Sequence, residues 1–352
     1  MSKSRTLPTL AAALCLAALP LSAVHAKTAH SQGAHGDAQF EYHGQAFTQF
    51  LVDSYTENNQ TNPRQFYAWF DQATKPFLGS SATLEAALNE KRAELARVSD
   101  PQAKAAKEME IGAWTHKLVK KSIPKFSLDR GYDFTNTVAH GERQCFLQSV
   151  LISSMLQKMG MDAGVVMVAR NMAGATTNNG HASAILRLSN GKDILVDASE
   201  PEPFARHQGL FAFNTQKAGS QYINPVFEGD TGVILYYQGQ PTNAKVATAQ
   251  VRTLSIPFLR SQFEYYRGER TIGGLILTPL TPKGIATEEA RLQKSVRLCP
   301  QNPLAVYMLG RVSMRMGKKD AAKSQLTAAN ALYSHAGWVP EGMTEAFREA
   351  HR

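Results

Sequence analysis

The sequence predicts an α+β fold, a central helix packed on an antiparallel sheet with helices before and after it. Three observations carry this expectation. Residues 144–157 hold no charged side chain, and Leu147, Val150, Leu151 and Met155 recur at helical spacing while Phe146, Ile152 and Leu156 cover much of the other side. A helix that is apolar almost all round is a buried one. Residues 181–199 read as two β-rich runs around Ser189-Asn190-Gly191, a hairpin signature. Helical patterns flank this region on both sides, in a chain of 352 residues, long enough for two modest domains.

The central helix opens on Cys145. Its first turn offers unpaired N–H groups and the positive end of the helix dipole, a setting that favours a thiolate. A free cysteine is more often a small buried hydrophobe, so position alone does not assign it chemistry. The hairpin adds weight. A two-residue loop would put Asp197 opposite Ala184 on the apolar face. A three-residue loop, Ser189–Gly191 with Gly191 left-handed, makes paired positions sum to 380 and gathers Ala182, Ala184, Leu186 and Leu188 with Ile194, Val196 and Ala198. The second register leaves His181, Ser183, Ile185 and Arg187 with Asp193, Leu195 and Asp197 on the other face. Arg187 then faces Asp193, and His181 lies diagonal to Asp197, within side-chain reach.

Cys145, His181 and Asp197, in that order, are the parts of a thiol nucleophile with its base and orienter. With the flanking elements they resemble the core of the transglutaminase-like fold, a branch of the papain-like cysteine enzymes. The matching pieces are Gly141, Cys145, the helix to Lys158, the turn Met159-Gly160-Met161, the strand Ala163–Ala169, His181 and Asp197. Members often carry an aromatic residue after the histidine, where this chain has Ala182. Bacterial members are commonly peptidases or amide hydrolases, or have no known activity, so the resemblance does not imply protein cross-linking.

Residues 1–26 read as a secretory signal peptide. Lys3 and Arg5 precede the mostly apolar Leu10–Leu21, and Ala23-Val24-His25-Ala26 offers a cleavage site. The expectation is an exported protein, periplasmic or secreted, with no membrane span, since the apolar run is too short. Removing two basic residues takes the charge from +9 to 36 basic minus 29 acidic, +7. That balance suits acidic envelope surfaces, and no nucleic-acid motif accompanies it. Only Cys145 and Cys299 survive cleavage; a disulfide between them would exclude a catalytic Cys145.

Residues 27–44, with His30, His35 and His43 at irregular spacing, read as a flexible linker rather than a metal site. Helices are expected at 45–57, 63–75, 82–98 and 101–122, the last capped by Asp100 with Pro101 at its first position. They lead into a core ending near residue 240. His140 and Glu142 are rival site residues, too close to Cys145 in sequence to turn toward it. The segment NMAGATTNNG before His181 reads as a mobile flap bordering a cleft. Gly209–Phe213 and Val233–Tyr237 read as further strands, and 238–250 as a polar connector. Residues 251–352 read as a helical tail. Leu309-Gly310, Gly317, Ala322, Leu326 and Ala329 match the small and large positions of a tetratricopeptide repeat, a surface for a protein partner or for docking on the core.

Two functions of different classes follow. One is a cysteine enzyme acting on amide bonds of a peptide or protein, cell-envelope material among the candidates. It would use Cys145, His181 and Asp197, with the Cys145 N–H and Gln144 for the oxyanion and no metal or organic cofactor. The other is a silent scaffold or peptide-binding protein that works through its helical repeats.

Overall fold

The computed structural model describes residues 39–79 and 82–352, without the side chains of residues 178 and 179. The expected signal peptide and most of the expected linker lie outside these residues. The linker's last residues do not behave as one. Phe40 and Tyr42 are buried, their N–H groups bonding to Gln157 Oε1 at 2.7 Å and to the Ser154 carbonyl at 2.9 Å.

Four helices follow, α1 (Gln45–Glu57), α2 (Gln65–Leu78), α3 (Leu84–Ala96) and α4 (Pro101–Ser122). Two keep their expected bounds and two shift by a few residues. Asp100 accepts from Ala103 N at 2.7 Å, as the Asp-Pro signal implies. Two short parallel strands, β1 (Lys125–Phe126) and β2 (Glu142–Arg143), bracket α5 (Phe134–His140). Then comes α6 (Cys145–Lys158), buried along its whole length to Leu156.

The main sheet comprises β3 (Asp162–Arg170), β4 (Thr176–Arg187), β5 (Asp193–Val196), β6 (Gly209–Asn214), β7 (Gly219–Phe227) and β8 (Val233–Gly239), with β9 (Ala244–Val246) and β10 (Val251–Arg252) at its margins. Strands β6, β3, β4, β5, β8 and β7 pair in that order, and β7 pairs back onto β6. The sheet is therefore a closed six-stranded barrel, where the expectation is a central helix packed on an antiparallel sheet. Helix α6 does pack on β3 and β4, but from outside the barrel. Closure depends on β7, where Gln221, Asn224 and Pro225 interrupt the apolar alternation that reveals a strand in sequence. Inside the barrel, Val166, Val168, Ile185, Leu195, Leu210, Ile223 and Ile234 form a core distinct from the one under the helices.

The hairpin register is the one expected. Ala184 pairs with Val196, Leu186 with Ile194 and Arg187 with Asp193. Gly191 takes φ +82°, a conformation that a Cβ disfavours. Ala184, Leu186, Ile194 and Val196 face the helices. The opposite face is not a solvent face, because Ile185 and Leu195 point into the barrel. Asp193 is fully buried there, bonded by Arg187 Nε at 2.9 Å and the Tyr237 hydroxyl at 2.6 Å. The second half of the expected flap is strand, since β4 starts at Thr176 and pairs with β3. The expected connector 238–250 carries β9 and a 3-10 turn at Thr248–Gln250.

The helical tail starts with α7 (Ile256–Glu269), followed by α8 (Pro282–Leu298), α9 (Pro303–Arg315), α10 (Lys319–Ala336) and α11 (Glu341–Ala350). Gly310 of α9 sits against Leu326 of α10, so closely that an added Cβ would lie 2.7 Å from its Cγ. Helix α7 belongs to the core rather than to a separate tail. Phe263 packs against Phe50, Phe134 and Phe146. Arg267, fully buried, reaches Asp133 Oδ2 at 2.9 Å and Glu264 at 2.8 Å. The described residues fall in one compact unit. Among them, no helix is long and apolar enough to cross a membrane.

Candidate active site

Cys145 is the first residue of α6 and is 4 % exposed. The helix is fixed from within: the Ser149 hydroxyl donates to the Cys145 carbonyl at 2.7 Å and reaches the Ala182 carbonyl of β4 at 3.1 Å. That contact holds the head of α6 over the end of the barrel where His181 emerges. His181 Nε2 bonds Asp197 Oδ2 at 2.7 Å, and the Cys145 sulfur lies close enough to the ring to act on its charge. With Nε2 committed to the carboxylate, Nδ1 is the nitrogen that addresses sulfur. Cys145, His181 and Asp197 are thus brought together.

Burial opposes a charge on His181, but the Cys145 sulfur and Asp197 more than offset it, and the imidazolium is pushed up to about 11. Burial likewise works against the Asp197 carboxylate, yet hydrogen bonds from His181 and His207 hold its pKa well below the usual range. The carboxylate is saturated. Oδ2 accepts from His181 and from His207 Nε2 at 2.8 Å; Oδ1 accepts from Ser199 N at 2.8 Å and Gln148 Nε2 at 3.2 Å. Four donors match the acceptor capacity of a carboxylate.

A second ring of residues supports this one. Arg143 Nε donates to Gln148 Oε1 at 2.8 Å, and the same guanidinium bonds the Ala198 carbonyl at 3.1 Å and the Ile123 carbonyl. Gln144 caps α6, its Oε1 accepting from Phe146 N at 3.1 Å, and its side chain lies beside the Tyr266 hydroxyl. Tyr266, from α7, donates to the Gly180 carbonyl. Burial first, then the Cys145 sulfur, pushes its hydroxyl well above the ordinary tyrosine range. The rivals stay away: His140 is exposed, and Glu142 is held by Arg130 at 2.7 Å and Asn136 at 3.0 Å. Among the described residues Cys145 and Cys299 are both free thiols, so no disulfide blocks Cys145.

Sequence reasoning missed His207, Gln148 and Tyr266. A polar Gln148 one turn after Cys145, on an otherwise apolar helix, is a legible signal. His207 lies in an irregular segment where no period places it, and Tyr266 arrives from far along the chain.

His181, Asp197 and His207 each bring a ligand atom within 4.8 Å of the others, the spacing of a metal site. Their contacts of 2.7 and 2.8 Å are those of hydrogen bonds. Ligands around a tetrahedral zinc with bonds of ~2.0–2.1 Å sit about 3.3 Å apart. The residues as placed therefore fit a hydrogen-bonded cluster better than a cation. The chain matches no protein-family model, no curated protein and no solved structure.

Proposed function

We propose that this protein is an exported cysteine enzyme of the transglutaminase-like type, acting on amide bonds of peptides or proteins. The observation that supports it is the gathering of the Cys145 sulfur, the His181 ring and Asp197, with His181 bonded to Asp197 and its charge favoured by the sulfur. Cys145 attacks the carbonyl carbon as a thiolate paired with the His181 imidazolium. The developing oxyanion is met by the Cys145 N–H, one of the first donors of α6 without an intrahelical acceptor, and by the Gln144 amide. His181 passes its proton to the departing amine, leaving a thioester on Cys145. Water or a second amine, deprotonated by His181, then attacks the thioester and the thiolate is released. Water gives hydrolysis; an amine gives acyl transfer. Asp197 fixes the imidazole with Nε2–H inward throughout. The scheme draws on no metal or organic cofactor, and α8–α10 offer a tetratricopeptide-like surface for a protein partner.

One observation favours the silent scaffold instead: Cys145 is only 4 % exposed. Thiol reactivity separates the two. In the folded protein iodoacetamide should label Cys145 faster than Cys299, whose thiol burial pushes upward, and His181→Ala should remove that advantage. Equal labelling of the two cysteines, or labelling indifferent to His181, would reject the enzyme.

A further inference from the structure

A cleft of about 730 Å³ opens between the outer face of the barrel and helices α7, α9 and α11. Gly180, the residue before His181, lines it. Gly180 takes φ +70°, and an added Cβ would fall 2.9 Å from Leu304 and 3.5 Å from Gln262 Nε2, so the wall beside the histidine must stay bare. Phe211, Tyr222 and Trp338 supply apolar faces.

Two polar side chains of α7 line the cleft. Gln262 is fully buried, and its Oε1 accepts from Asn302 at 3.0 Å. Its Nε2, beside the Tyr266 hydroxyl, has no partner of hydrogen-bond geometry among the described residues. Glu269 is 2 % exposed, and its Oε1 accepts from the Tyr265 hydroxyl at 2.7 Å. Its Oε2 is ion-paired with Arg270 Nε at 3.2 Å, outside hydrogen-bond geometry. A buried orphan donor such as Gln262 Nε2 is costly, and both side chains line a space large enough for a ligand. Burial raises the Glu269 carboxyl above its ordinary range despite Arg270, a cost that a bound cation would offset.

The charge of the cleft runs against that of the chain. The protein carries a net +9, yet the cleft is lined by Glu269, Glu341 and Glu345 against one guanidinium, Arg311. Gln262 and Glu269 are seven residues apart on one helix, hence on one face and about 10 Å apart along its axis. That is the span of about three residues of extended chain.

We infer that this cleft binds an extended peptide carrying a basic side chain, its backbone carbonyl taken by Gln262 beside Gly180 and its cation by Glu269 farther along α7. This assigns a substrate class to the site proposed above and rests on that reading, but binding can be tested with the thiol removed. The probes are acetyl-capped, fluorescein-labelled alanine peptides with one Lys at each position in turn, and the same set with norleucine. They are titrated by fluorescence polarisation onto full-length Cys145→Ala protein. At the best position Lys should bind about tenfold tighter than norleucine. Glu269→Gln should erase most of that preference, and Gln262→Ala should weaken both peptides alike. Glu341→Gln, on the exposed rim, should reduce the preference without touching a buried group, so a misfolded Glu269→Gln protein would not protect the proposal. No binding, equal binding of Lys and norleucine, or a preference that survives both glutamate changes would overturn it. An inert Cys145 with an intact Lys preference would instead reject the chemistry and keep the cleft.

Discussion

Asp197 is surrounded by donors, and the two imidazoles that share its Oδ2 are not equivalent. His181 faces the sulfur; His207 is fully buried, with no partner for Nδ1 among the described residues. His207 thus acts on Cys145 only through Asp197, as a positioning residue. Replacing it with Phe keeps a ring but leaves the buried carboxylate one donor short. His207→Phe should lower stability by about 1–3 kcal/mol in denaturant unfolding, and a wild-type midpoint would remove His207 from the network. The His181 charge has a pH signature. Its pKa in the folded protein, about 11, lies above the ordinary value near 6.5. The stabilisation is therefore complete below about pH 6.5 and fades as pH rises toward 11. Thermal melts of His181→Ala and wild type should differ most at low pH and converge through that window. A gap that widens with pH would contradict the pairing.

At the level of elements, the helix head and the hairpin were legible because each has its own period. The apolar run fixed α6, and a single argument about which side chains share a face fixed the β4–β5 register and with it the His181–Asp197 contact. What escaped was whatever lacks a period or answers to distant partners. Polar Gln221 and Asn224 hid β7 and therefore the closure of the barrel, and the sequence reading set α7 apart because contacts such as Phe263 with Phe146 span more than a hundred residues. Helix α7 is anchored by a buried ion pair. Arg267 raises no alarm in sequence, yet Asp133, bonded also by Ser54 and Asn58, holds it inside the protein. Burial disfavours the Asp133 charge, but Arg267 and those hydrogen bonds keep its pKa below the ordinary range. Asp133→Ala should destabilise the protein by about 3–5 kcal/mol, because it takes one of two carboxylate partners from a buried guanidinium. Loss well under 1 kcal/mol in chemical unfolding would show that Arg267 finds other partners.

For the whole molecule, the packing of α7 denies the core an independent existence. A chain ending at residue 250 would uncover Phe50, Phe134 and Phe146 where Phe263 now sits. It should fail to give a cooperative thermal transition, whereas a soluble fragment melting cooperatively would restore the two-part division. Barrel closure has a further consequence for how the protein behaves among its own copies. An open sheet ends in rows of unpaired amides and carbonyls that can recruit a neighbour's strand. Here β7 returns to β6, and the strands left at the margins of the main sheet are β9, three residues, and β10, two. Margins that short give an incoming strand almost nothing to pair with. At high concentration the folded protein should therefore resist the edge-to-edge growth that seeds fibrils.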